Sequence, residues 1–150
     1  MKKAAKIIGI IALVLLVIAA GYVIYVFASF TRLPDNLELD IVQDRSDTAA
    51  DGRTYTLLSW NLGFGAYSDD YTFFMDGGTE SRARSADAAR ENISAALDKV
   101  RELSPDFCML EEIDVDATRT YHVDERAMLT ASFPEDAAVW AQNYAFRVSY

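Results

Sequence analysis

The chain has 150 residues and a formal net charge of −9. Its first 30 residues hold three lysines and no acid, so the remainder carries −12, three more negative than the whole. An acidic surface repels phosphate backbones and disfavours non-specific nucleic-acid binding. A single cysteine, Cys108, excludes a disulfide framework, and its place in an apolar run reads as a small core residue.

From Ile7 to Phe30 there is no charge. A helix over that run is long enough to cross a hydrocarbon core of about 30 Å. Lys2, Lys3 and Lys6 precede it, which favours a cytoplasmic N-terminus with the rest of the chain outside. A cleaved signal peptide is the rival reading, since Val26 and Ala28 have suitable spacing. Its apolar core is usually about 7–15 residues, shorter than this one. A buried soluble helix is the third. The expected organisation is an anchor over residues 1–30, a linker over 31–52 and a domain over 53–150.

The stretch "TYTLLSWNLGFGAY" opens that domain. Tyr55 and Leu57 fall on one face of a strand, Leu58 and Trp60 on the other. Both faces are apolar, as in a strand covered on both sides. Asn61 ends the run, and Gly63 and Gly65 break it. "SDDYTFFMDGGTESRARS" then reads as a long loop, a frequent place for function. Its acids, Asp69, Asp70 and Asp76, are either cation ligands or simply solvated, and the role of the segment from Asp69 to Gly78 stays open.

A helix follows, with Ser85 as N-cap and Asp87 suited to the first turn. Ala89, Ile93, Ala96, Leu97, Val100 and Leu103 recur at helical spacing as a core-facing stripe. Pro105 stops the helix. "DFCMLEE" comes next, and its apolar part, Phe107 to Leu110, reads as a second central strand. Strand, helix and strand joined this closely imply a parallel pair with a right-handed crossover. The carboxyl ends of such strands share one sheet edge, where open α/β sheets carry ligands. Asn61 and Glu112 are therefore expected to converge.

Thr118 to Phe133 reads as another helix, with Tyr121, Met128 and Leu129 inward and Pro134 at its end. Arg119 and His122 would then share a face, and Arg119 would be able to grip a phosphate bidentately. An exposed face with acids in the first turn explains the same residues. His122 is the only histidine, so multi-histidine zinc sites and histidine pairs are excluded. Ala138 to Tyr150 reads as a strand.

An amide and a carboxylate suit a hard cation such as Mg²⁺, which takes oxygen ligands and keeps several waters. The plainer alternative is that Asn61 caps a turn while Glu111 and Glu112 are a solvated pair. At "SWNLG" and "PDFCMLEEID" the chain resembles the endonuclease/exonuclease/phosphatase superfamily, in a bacterial membrane-anchored branch. The resemblance covers roughly Tyr55 to Tyr150. It implies an α/β fold, an N-terminal transmembrane helix followed by the first half of a two-sheet α/β sandwich. It implies Mg²⁺, or Mn²⁺, at Asn61 and Glu112; Arg119 and His122 are the substrate-binding candidates from the residues themselves. Glu111 stands where that family usually has Gln. The family's later "GDFN" and "SDH" motifs are absent from the sequence, so the chain is expected to be the N-terminal half of such an enzyme and inactive alone.

The expected function is that of a membrane-anchored phosphoester hydrolase acting on small molecules or lipid head groups rather than nucleic acid. A non-catalytic membrane-anchored binding or structural module is the alternative. An unrelated doubly wound domain using the same sheet edge is a third. Substrate identity and oligomeric state are not legible.

Overall fold

The computed structural model describes residues 2–30, 33–42 and 49–142. Its elements, in order, are α1 (Lys2–Ser29), β1 (Ile41–Val42), β2 (Leu57–Asn61), α2 (Ala86–Leu103), β3 (Phe107–Glu111), α3 (Glu125–Ser132) and β4 (Ala138–Val139). Three short 3-10 turns lie between them. The fold is mixed α/β with two small sheets. The chain divides into two compact units, one holding α1 and the residues to Leu39, the other spanning Asp40–Val139.

α1 has 28 residues and a mean hydropathy of 3.0 over its most apolar window. At about 1.5 Å per residue it is about 42 Å long. Its Ile, Leu, Val and aromatic side chains are exposed on every side. A helix apolar all round has no face suited to water. It is long and apolar enough to span a membrane.

In the second unit, β2 and β3 pair in parallel from Leu57↔Phe107 to Asn61↔Glu111. At the amino end, Asp106 accepts hydrogen bonds from the Thr56 N–H and hydroxyl, both at 2.8 Å, and Arg53 Nη2 adds another at 2.8 Å. At the carboxyl end the pairing runs on past the strands. Leu62 N–H donates to Glu111 O and Phe64 N–H to Glu112 O, each at 2.9 Å.

α2 connects the two strands and follows its expected boundaries. Ser85 Oγ accepts the Ala88 N–H at 3.0 Å. At the other end Ser104, with φ +45°, closes the helix before Pro105. Ala89, Ile93, Leu97 and Val100 are buried, whereas Leu103 is 53% exposed. The stripe thus covers the sheet over most of its length and frays at the last turn. Ile93 and Leu97 pack with Leu62, Trp60 and Leu110; a second cluster gathers Phe64, Ala66, Tyr71, Ala83, Ala89 and Val123. Met128 joins both.

Four expectations are corrected. The sheet is covered on one face only among the described residues: Leu57, Phe107 and Met109 are 62%, 51% and 57% exposed. Strands whose two faces are apolar ask for two covers, and α2 provides one. Cys108 is exposed rather than a core residue. The helix expected over 118–133 is broken, because Tyr121 and His122 adopt positive φ after a 3-10 turn at Thr118–Thr120. α3 begins afresh at Glu125, capped by Asp124 Oδ1, which accepts the Ala127 N–H at 2.8 Å. Within the segment read as a linker, β1 pairs antiparallel with β4. Of the strand expected over 138–150, β4 occupies only Ala138–Val139, and residues 143–150 lie outside the described residues.

Candidate functional site

β2 and β3 carry Asn61 and the Glu111–Glu112 pair to one sheet edge. There Asn61 Nδ2 donates to Glu112 Oε1 at 3.1 Å. Asn61 Oδ1 accepts the Gly63 N–H at 2.8 Å, which fixes the amide with its donor toward Glu112. Asn61 therefore caps the turn and meets the carboxylate at once. The amide presents its nitrogen, not an oxygen ligand, to Glu112, and its oxygen serves the turn.

The turn after β2 is tightly built. Gly63, Phe64 and Gly65 have φ of +55°, +45° and +63°. A Cβ on Gly63 would lie 2.3 Å from the Tyr67 ring, and one on Gly65 would lie 2.8 Å from Ala89 O. Phe64 bears a side chain in this left-handed region, and so does Glu112 at φ +55°. Such residues cost about 1–3 kcal/mol each and persist where surroundings over-determine them. The constraint is visible here: the Phe64 N–H bonds the Glu112 carbonyl, and the Phe64 ring is buried.

A cleft of about 840 Å³ opens at this edge. Asn61, Glu112, Tyr67, Asp69 and Asn92 contribute polar groups to it. Asp70 also lines it but is held by Arg84 Nη1 at 2.7 Å and by Ser68. Burial, and then the charges of Asp76 and Glu112, push the Tyr67 phenol above its ordinary value. Asn92 Nδ2 donates to Gly65 O at 2.9 Å, tying α2 to the glycine turn. Sequence reasoning missed Asn92 and Tyr67. The signal for Asn92 was an amide at the margin of an otherwise apolar helical stripe, between Ala89 and Ala96.

Arg119 reaches the site from the segment between β3 and α3. Its Nε and Nη2 donate to the two Asp114 oxygens at 2.7 and 2.9 Å. Its Nη1 lies 3.7 Å from Glu112 Oε2. The guanidinium is 3.9 Å from the Phe64 ring centroid, within range of a cation–π contact. Nε and Nη2 are thus committed to Asp114, and Arg119 is not among the residues lining the cleft. His122 does not share a face with it. The imidazole is exposed, pairs with Asp116, and is not among the residues lining the cleft. Asp76 likewise stays out of the lining.

Buried Glu125 lies beneath this network. Its Oε2 accepts the Asp114 N–H at 2.8 Å. Burial raises its carboxyl from 4.5 to about 7, against the pull of that hydrogen bond. Among the described residues, no group of three or more His, Cys, Asp or Glu side chains is placed to hold a metal ion. The oxygen ligand open at the edge is one carboxylate, with Glu112 42% exposed, while the Asn61 amide beside it turns its nitrogen to that carboxylate. A lone carboxylate fits a hard cation that retains most of its water and does not fit a closed protein cage.

No protein-family model matches the chain, and no curated protein or solved structure matches it.

Proposed function

We propose that this chain supplies the cation-holding wall of a membrane-anchored, Mg²⁺-dependent phosphoester hydrolase of the endonuclease/exonuclease/phosphatase type, with Mn²⁺ as a substitute. The observation that carries the proposal is the Asn61–Glu112 pair at the carboxyl edge of a parallel sheet, facing a cleft. The two-sheet sandwich is the proposed complete fold. The uncovered apolar face formed by Leu57, Phe107 and Met109 supports it, because a second layer would cover that face.

A divalent cation at this edge would polarise phosphoryl oxygens and stabilise developing charge. Glu112 would hold it, and Asn61 orients the carboxylate through Oε1. Arg119 adds positive charge beside Glu112, where phosphate oxygens would gather. The residues here bind and orient. His122 lies away from the cleft, and the sequence has neither the "GDFN" nor the "SDH" motif that would move protons in the superfamily. With −12 outside the apolar helix, small phosphoesters or lipid head groups are the proposed substrates ahead of nucleic acid.

A second reading, a non-catalytic membrane-anchored module, draws support from one observation. Glu112 already faces two donors in the free protein, Asn61 and Arg119. Titration of the full chain in detergent with Mn²⁺, followed by electron paramagnetic resonance, separates the two. The hydrolase reading expects saturable binding that Glu112→Gln weakens by more than about tenfold. Equal affinity in that variant, or no saturable binding, refutes it.

A further inference from the structure

We infer that Glu125 is a positioning residue that sets the Arg119–Glu112 geometry of the candidate site by clamping Asp114, an inference that rests on the hydrolase reading. Asp114 and Glu125 are joined twice. The Glu125 N–H donates to Asp114 O at 2.9 Å, and the Asp114 N–H donates to Glu125 Oε2 at 2.8 Å. This reciprocal pair fixes the Asp114 backbone two residues beyond Glu112. The Asp114 carboxylate then holds Arg119 by two charge-assisted bonds, the geometry that best orients a guanidinium. The Arg119 guanidinium lies over the Phe64 ring, and the Phe64 N–H closes the circuit on the Glu112 carbonyl. Every link from Glu125 to Glu112 is therefore a direct contact.

Helix capping does not account for Glu125. Asp124 already caps α3, and the Glu125 carboxylate bonds a group outside that helix. A carboxylate serving only the helix dipole would stay in water, where the same charge is held without desolvation. Glu125 is instead fully buried, and its Oε1 has no hydrogen-bond partner among the described residues. That oxygen lies 3.1 Å from where a Cβ on Gly65 would sit, so the glycine turn of the site makes room for it. A buried, half-satisfied carboxylate is unfavourable for the fold by itself. Its placement joins α3, the glycine turn and the Asp114–Arg119 pair at one point.

The test uses the full chain in detergent micelles, with two readouts. One is hydrogen exchange at the Arg119 Nε–H, read by nitrogen-15 NMR. The other is Mn²⁺ affinity. Glu125→Leu removes the acceptor, Glu125→Asp withdraws it by one methylene, and Glu125→Gln keeps it. With amide protection along α2 retained, the Leu and Asp variants are expected to lose Arg119 Nε–H protection and to change Mn²⁺ affinity by about tenfold or more, while Gln keeps both. Wild-type Arg119 protection and Mn²⁺ affinity in a folded Leu or Asp variant overturn the inference. So does a Gln variant that falls as far as Leu. Should Leu not fold, Asp decides in the same way. If Glu112→Gln leaves Mn²⁺ binding unchanged, the hydrolase reading fails, and the Arg119 exchange still judges the clamp.

Discussion

Replacing Glu125 by Gln should stabilise the protein at alkaline pH and leave it nearly unchanged in acid. Burial is the main reason that the carboxyl is raised from 4.5 to about 7; the nearby Asp114 charge adds to it, while the Asp114 N–H and Arg119 oppose it. A raised value in the native state means that folding favours the protonated acid. The protein therefore loses stability as pH climbs from about 4.5 through about 7, where the unfolded chain has released a proton that the native state retains. Above about pH 8 the full penalty applies, about 3 kcal/mol at about 1.4 kcal/mol for each pH unit between the two values. Gln keeps an acceptor for the Asp114 N–H and carries no charge, so it escapes the penalty. Urea unfolding of both proteins in detergent, followed by circular dichroism, should give similar midpoints at pH 4.5. At pH 8.5 the variant should lead by roughly 1–2 M. A difference of the same size at both pH values would show that Glu125 does not titrate against the fold, and the burial argument would fall with it.

Gly65→Ala should destabilise by at least about 2 kcal/mol, since the new Cβ combines positive φ with a clash against backbone; thermal melts that match wild type would contradict the tight turn. Ile93→Ala should cost about 2–5 kcal/mol, whereas Met109→Ala on the open sheet face should cost under about 1 kcal/mol. Equal losses in chemical denaturation would mean that the open face is covered. The Asp106 carboxyl is held below its ordinary value, first by the Thr56 N–H, then by the Thr56 hydroxyl, with Arg53 adding to both. Its contribution is complete above the unfolded value near 3.8 and fades as pH falls through the lowered native value. Asp106→Asn should therefore flatten the acid limb of the stability curve, and an unchanged acid limb would count against the clasp.

How much of this was legible in the sequence depended on whether the signal was local. Ser85, the apolar stripe and Pro105 marked α2 because capping and periodicity act within a few residues. The convergence of Asn61 and Glu112 followed from connection length, which forces a parallel pair. The break before α3 was harder. Asp124 is a good cap, yet the apolar spacing of Tyr121, Met128 and Leu129 runs across it and suggests one continuous helix. Glu125 was illegible in principle, since an acid in a first helical turn reads as a solvated partner of the dipole. Only the packing of Gly65, α2 and α3 around it reveals the burial. The two apolar faces of β2 and β3 were read correctly as faces, but a face does not name what covers it.

The Thr56–Asp106 clasp has a consequence for the opposite end of the sheet. Five residue steps, about 17 Å of strand, separate it from Asn61 and Glu111. A parallel pair that slipped by one residue would turn every side chain to the wrong face. The clasp accepts both the amide and the hydroxyl of a single residue, so it defines one register. It is the zero mark of a ruler whose far graduation is the 3.1 Å meeting of Asn61 and Glu112. Substitutions at Thr56 or Asp106, far from the cleft, are thus calibration errors for it, able to misalign the site while its own residues remain intact.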